Sequence, residues 1–346
     1  MIKEIIYKLI SKQSLTFKES FDCMHSLLRG DMTEVQIGAF LYGLSVKGEV
    51  KEEIMGALKA VYEHMVPIDG TSNVVDTCGT GGDMIDSFNT STAAALIASA
   101  AGVDIAKCGN RASSSSCGSA DLLEEIGIKI DLSPSEAREW LKESGFSFLF
   151  TPKFHPLLNK LSPLRKQLGI PTILNRIGPL GNPVRPRRRL LGVSNRKLAP
   201  LYSELLLELG TDHSLVVHGL DGMDEISISA PTDIYMIRGG KIDSMRFDPR
   251  SLGIDYVPHK DIRGGDTKQN RDTLFNLFEG EKGAIRNIAC INAGATIMLG
   301  GKAKDLKEGM LIAEQTIDSG LAKSKLRELI NRGKEKGVDI NHVHAR

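Results

Sequence analysis

The sequence predicts an α/β protein: a small helical domain plus a larger α/β domain with a mainly parallel central sheet. Three observations carry that expectation. The first ~70 residues show only helical periodicity, and beyond them short apolar segments alternate with helical ones. Glycine clusters follow two of those apolar segments directly. The alternation matters because parallel strands need long crossover connections, which helices supply. The expected boundaries are 1–70 for the helical domain and 71–346 for the α/β domain, with later segments free to return to the helices. A chain of 346 residues agrees with about two domains.

The elements follow in order. Ile2, Ile5, Ile6, Leu9 and Ile10 recur at helical spacing among Lys3, Glu4 and Lys8, which is an amphipathic helix and not the apolar core of a signal peptide. Thr16 opens a stripe of Phe17, Phe21, Met24, Leu27 and Leu28, which Gly30 ends. Thr33 with Gln36 forms a capping box for a helix through Ile37, Phe40 and Leu41, and a further helix covers 51–65. Val74 to Thr77 reads as a short buried strand, followed by a glycine-rich loop and an Ala-rich helix from about Ser91. Further strands are expected at Asp104–Ala106, Ser147–Phe150, Thr172–Leu174 and Ser214–His218. Ser133-Pro134-Ser135-Glu136 opens a helix with a cap and a proline at its first position. Residues 233–238 and 241–246 form a hairpin turned by Gly239-Gly240. Helices finish the chain, and His342-Val343-His344 reads as a frayed tail.

Composition removes several function classes. With 44 Lys+Arg against 43 Asp+Glu the chain lacks the basic excess that nucleic-acid phosphates demand, so no nucleic-acid partner is expected. No stretch reaches the ~18 apolar residues of a membrane span, so no membrane partner is expected either. Five cysteines, odd in number and without a CxxC pair, fit a reducing, cytoplasmic compartment. Glycine, at 35 residues, costs folding entropy and so asks for tight turns or backbone close to a ligand.

Four constellations could carry chemistry. Asp76-Thr77-Cys78-Gly79-Thr80-Gly81-Gly82-Asp83 follows a strand and precedes a helix opened by Asn89-Thr90-Ser91-Thr92. Glycines that turn amides toward an anion, beside a helix N-terminus, make a phosphate cradle. The alternative is a tight loop with a capped helix. Lys107-Cys108-Gly109-Asn110-Arg111, with the serine-rich stretch through Ser119, follows another strand, so both loops open at one carboxyl edge, where such sheets bind ligands. Alone, that stretch would be a solvated linker. His218-Gly219-Leu220-Asp221-Gly222-Met223-Asp224-Glu225 brings two carboxylates into a glycine turn; Mg²⁺ is held by one or two carboxylates plus substrate phosphates. Without the cradles it would be surface. Arg165, ten residues after His155 on a helix, can pair bidentately with a substrate carboxylate or simply face solvent. The run Arg185, Arg187, Arg188, Arg189 reads as a solvated loop.

In this order the motifs resemble the anthranilate phosphoribosyltransferase family of tryptophan biosynthesis, within the nucleoside phosphorylase/phosphoribosyltransferase superfamily. Gln36 to Leu41, Gly79-Thr80-Gly81-Gly82-Asp83, Asn89 to Thr92, Lys107 with Gly109-Asn110-Arg111, Gly118-Ser119-Ala120-Asp121 and Asp224-Glu225 carry the likeness along nearly the whole chain. The resemblance implies phosphoribosyl pyrophosphate and magnesium, two ions per subunit, bound between the two domains of a homodimer. It implies donor binding by Gly79, Gly82, Asp83, Ser87, Asn89, Ser91, Thr92, Lys107, Asn110, Ser115 and Ser119. Anthranilate would meet Gly79, Asn110, His155 and Arg165, and the metals Ser91, Asp224 and Glu225. No residue is expected to act as a general acid or base, because pyrophosphate leaves readily once its charge is neutralised. Cys108 stands where the family usually has His, Cys117 replaces a serine of its Ser-Ser-x-Ser-Gly loop, and Gly181 stands where Thr is common. Cys108 keeps alive a different aromatic acceptor or a nucleoside-phosphorylase-like reaction.

Overall fold

The computed structural model describes residues 2–69, 73–112 and 116–335, so Ser115 and the 342–344 tail lie outside the described residues. The chain divides into two units, Met1–Asp69 with Thr151–Arg185, and Gly70–Phe150 with Pro186–Arg346.

In the first unit the helices Ile2–Ile10, Phe17–Arg29, Glu34–Lys47 and Lys51–His64 follow the sequence signals closely. Thr16 and Thr33 cap through reciprocal bonds with Glu19 and Gln36, and Gly30 ends its helix at φ 82°. Fully buried Glu53 accepts from the Leu15 and Val50 N–H groups and from Lys47, which satisfies a charge that would otherwise be costly inside. Thr151–Arg185 adds short helices, among them Pro156–Asn159, Ser162–Leu168 and Ile173–Ile177. It is tied in by Val66 N–H to the Phe154 carbonyl (2.8 Å) and by the Tyr62 hydroxyl to the Leu180 carbonyl (2.7 Å). This segment therefore returns from the expected 71–346 stretch to the helices. The strand expected at Thr172–Leu174 is instead a helix start: Thr172 is the N-cap and its hydroxyl accepts from Leu174 N–H at 3.3 Å. A run of three apolar residues cannot separate strand from helix by period.

The second unit is built on seven strands: β1 Val75–Gly79, β2 Ile105–Gly109, β3 Phe146–Phe150, β4 Arg188–Gly192, β5 His213–Gly219, β6 Thr232–Arg238 and β7 Lys241–Phe247. Their order is β3-β2-β1-β4-β5-β6-β7, parallel from β3 to β5 and antiparallel across β6 and β7. The β6–β7 turn has φ 58° at Gly239 and 74° at Gly240, as a type I′ hairpin requires. Strand β4 corrects the sequence reading, which took Arg185–Arg189 as a solvated loop. Arg189 is 2% exposed, and its Nε donates to the Pro186 carbonyl at 3.2 Å. Pairing with β1 on one side and β5 on the other satisfies the backbone there and outweighs the arginines' preference for solvent. Beneath the sheet, the almost wholly buried helix Ala284–Leu299 meets the helix Leu306–Asp318 at Gly294 and Gly309. A Cβ on Gly294 would lie 2.5 Å from the Met310 nitrogen, so only glycine permits that approach.

Candidate active site

Four of the five parallel strands end in glycine: β1 at Gly79, β2 at Gly109, β4 at Gly192 and β5 at Gly219. Parallel strands finish at one edge, so backbone without side chains lines the place where such sheets take ligands. The loop after β1 turns through Gly81 (φ 68°) and Gly82 (φ 79°), then through Met84 and Asp86 at φ 58° and 55°. Left-handed conformations are costly for the latter two, and the neighbours of the loop sustain them. Thr80 N–H donates to the Gly192 carbonyl (2.9 Å), and the Ser194 hydroxyl donates to the Gly81 carbonyl (2.8 Å).

The turn after β5 brings Asp224 onto this loop. Its carboxylate accepts from Gly81 N–H at 2.7 Å, and a Cβ on Gly79 would lie 2.7 Å from its Cγ. Burial, reinforced by the facing charge of Asp83, raises the Asp224 carboxyl to about 6. Burial likewise pushes Asp83 up, opposed by the Ile85 N–H and by a hydrogen bond with Asp224. Burial and the Asp224 charge push Glu225 well up, while Lys107 and the Ser91 amide pull it down. Three carboxylates crowded together, Asp224 buried and Asp83 and Glu225 half-buried, form a cluster whose ionised state a divalent cation would relieve. Among the described residues no group of three His, Cys, Asp or Glu side chains is placed to hold a metal ion by itself. Mg²⁺ needs only one or two carboxylates, since it keeps waters and borrows phosphate oxygens, so the donor chemistry of Asp224 and Glu225 fits the expected ion.

Ser91 opens the helix Thr90–Ala100 beside them. The Lys107 ammonium, 2% exposed, donates to the Thr77 carbonyl (2.7 Å) and the Ser91 hydroxyl (3.2 Å). It is thus an inward-facing charge that tempers Glu225. Thr92 is fully buried, and its hydroxyl has no hydrogen-bond partner in the described structure. Ser87 bridges to Arg263.

The loop after β2 closes on itself. The Asp121 carboxylate accepts from Ala112 N–H (2.8 Å) and Gly118 N–H (3.0 Å), and the Asn110 carbonyl accepts from Ala120 N–H (3.2 Å) and the Ser119 hydroxyl (3.4 Å). Arg111 is paired with Glu124 (2.7 Å) and Asp121 (3.2 Å).

His155 and Arg165 belong to the helical unit. His155 is 4% exposed, and its Nε2 lies 2.6 Å from the Gly181 carbonyl. A carbonyl only accepts, so Nε2 carries the proton; burial lowers the imidazole's pKa and leaves Nδ1 an acceptor. Arg165 is half-buried on the helix Ser162–Leu168, and burial alone lowers its pKa. Its guanidinium has no ion pair among the described residues.

Residues 71–323 match the glycosyl transferase family, a/b domain, and residues 3–65 match the glycosyl transferase family, helical bundle domain. The anthranilate phosphoribosyltransferase of Thermoanaerobacter sp. (strain X514) is 43% identical over 331 residues, which cover 95% of this chain and 98% of the relative. The chain belongs to the anthranilate phosphoribosyltransferase family. The anthranilate phosphoribosyltransferase of Alkaliphilus metalliredigens (strain QYMF) is 40% identical over 97% of this chain and 99% of its own. Among solved structures, that of the Thermus thermophilus enzyme of this family superposes with a TM-score of 0.89 at 34% identity, covering 95% of this chain and 99% of that one. The Saccharomyces cerevisiae anthranilate phosphoribosyltransferase in complex with PRPP and Mg gives 0.88 at 29% identity, covering 96% and 98%.

Against the family's motifs, sequence reading missed two groups. Asp121, known from sequence only as part of a motif, organises the loop after β2. Asn270, in no motif, accepts from Asn89 N–H at 3.0 Å. The first has a signal, an acid three residues after Gly118; the second has none.

Proposed function

We propose that this chain transfers the phosphoribosyl group of 5-phosphoribosyl 1-pyrophosphate to anthranilate, giving N-(5-phosphoribosyl)anthranilate and pyrophosphate in tryptophan biosynthesis. The observation that carries this reading is the meeting of Asp83, Asp224 and Glu225 with the glycine-rich loop after β1 and the Ser91 helix start. The glycine loop and the helix amides would hold the donor's phosphates, with Ser91, Asp224 and Glu225 holding magnesium, in our reading two ions per subunit. Bound magnesium neutralises charge developing on the departing pyrophosphate. The chain's own part is placement. Amides and Lys107 hold the leaving group still, and the scarcity of acid–base pairs matches a reaction driven by orientation and electrostatics.

For the acceptor, Arg165 would bind the anthranilate carboxylate, while neutral His155 offers Nδ1 as an acceptor. Cys108 contributes a thiol where the family usually has an imidazole. A homodimer is supported by the apolar side chains exposed on the first and third helices, Tyr7, Ile10, Val35, Tyr42 and Val46. Sedimentation at micromolar concentration tests it, and a monomer would refute it. No helix among the described residues is long and apolar enough to cross a membrane; with the cysteine pattern, this supports a cytoplasmic location.

The activity is tested by anthranilate fluorescence. The signal should fall only when phosphoribosyl pyrophosphate and Mg²⁺ are both present. A folded protein at high concentration that leaves the signal unchanged would exclude anthranilate as the acceptor.

A further inference from the structure

A hydrogen-bonded chain reaches Asn89 from a residue 181 positions away. Asn270, 1% exposed on the helix Thr267–Phe278, lies with its Oδ1 3.0 Å from the Asn89 amide nitrogen and 3.2 Å from Asn89 Nδ2. Its Nδ2 donates to the Gly265 carbonyl (3.0 Å) and the Asp266 carbonyl (3.1 Å). The backbone settles which end of each amide is which. A peptide N–H only donates, so the Asn270 atom facing Asn89 is the oxygen; two carbonyls only accept, so the atom facing them is the nitrogen. The Asn89 atom facing Asn270 Oδ1 must then be the amide nitrogen, and it also donates to the Cys117 carbonyl at 3.3 Å. Both protons of that nitrogen are thereby used. The remaining group, Asn89 Oδ1, makes no hydrogen bond among the described residues.

The surroundings are shaped to keep Asn270 in place. A Cβ on Gly264 would lie 2.8 Å from both terminal atoms of the Asn270 side chain and from the Phe88 Cα. Phe88 N–H donates to the Ile262 carbonyl (2.8 Å) and Gly264 N–H to the Asp86 carbonyl (3.1 Å). The stretch 262–264 is thus stitched to 86–88, and Asn270 makes the last stitch, at the residue that caps the helix Thr90–Ala100.

We propose that Asn270 is a positioning residue for the donor site: it holds Asn89 in the one amide orientation that presents Oδ1, an acceptor, to a hydroxyl of the donor's ribosyl ring and not to its phosphates. The inference rests on the reading of Asn89 as a donor-binding residue. It acts on the donor through the Asn89 side chain, so that effect should vanish when the side chain is gone, although the peptide N–H at 89 still reaches Asn270.

A double-mutant cycle on phosphoribosyl pyrophosphate binding, measured by calorimetry with Mg²⁺, tests this. Asn89→Ala and Asn270→Ala should each weaken binding about tenfold, and the double variant should bind like Asn89→Ala alone. The KM for anthranilate should stay within about twofold. Multiplying losses, or equal rises in both KM values, would reduce Asn270 to a general structural role and overturn the proposal. If Asn89→Ala leaves donor binding unchanged, the reading of Asn89 fails first and takes the proposal with it. Should Asn270→Ala not fold, Gly264→Ala displaces the same amide from the other side, and the same cycle with Asn89→Ala decides.

Discussion

A methyl group placed on Gly192, the last residue of β4, would overlap the backbone carbonyl of Asp224. The carboxylate turn therefore rests directly on the end of a central strand. Gly192→Ala should displace Asp224 from Gly81 N–H, which it meets at 2.7 Å. Overpacking of this kind costs about 1–3 kcal/mol. The expected result is a 10- to 100-fold fall in turnover with a raised Mg²⁺ requirement. Normal turnover at ordinary Mg²⁺ would show that the turn tolerates the shift.

Asp224 and Glu225 are crowded carboxyls whose proton affinities are raised, so the metal-free fold should bear the cost of ionising them together. Asp224→Asn combined with Glu225→Gln should abolish nearly all turnover and yet raise the melting temperature of the metal-free protein at neutral pH. Added Mg²⁺ should then stabilise the parent protein more than the variant. A variant that melts lower without metal would contradict that cost.

Arg165 is a guanidinium without an ion-pair partner among the described residues. Arg165→Ala should raise the KM for anthranilate by roughly 10- to 100-fold, the scale of one charged hydrogen-bonding partner, with far less effect on the phosphoribosyl donor. Arg165→Lys should recover only part of the loss, because an ammonium cannot grip a carboxylate bidentately. Equal changes for both substrates would remove Arg165 from acceptor binding.

His155 supplies a pH dependence of stability. Its pKa is lowered in the folded state by burial, so the unfolded chain takes up the proton first as pH falls. Its contribution is therefore complete above about pH 6.5, the unperturbed value, and is lost as pH drops through the lower folded value. Melting curves between pH 7.5 and 5 should show this decline, and His155→Gln should flatten it. An unchanged slope in the variant would assign the decline to other groups.

Local signals carried far along this chain. The capping box at Thr33, the helix starts at Thr16 and Ser133 and the Gly239-Gly240 turn are chemistry among residues within a few positions of one another, and the structure contains all of them. The loop after β1 could be read for the same reason, since a strand, a glycine run and a helix start are contiguous. The misreadings fall where locality ends. Arg188 and Arg189 look like loop residues until β1 and β5 flank them, and Thr172–Leu174 is too short a run to show its period.

Amino-acid order alone thus accounts for the N-terminal helices, for β1, β2, β3 and β5, and for the glycine run after β1. Other relationships come only from the assembled sheet. Asp224 reaches Gly81 across 143 positions, and Asn270 reaches Asn89 across 181. Segment Thr151–Arg185 leaves the α/β unit to join the helices. The physical reason is one of range. Caps and turns are settled by neighbours in sequence, whereas a buried carboxylate or amide takes its partner and its proton affinity from whatever the strand order brings beside it.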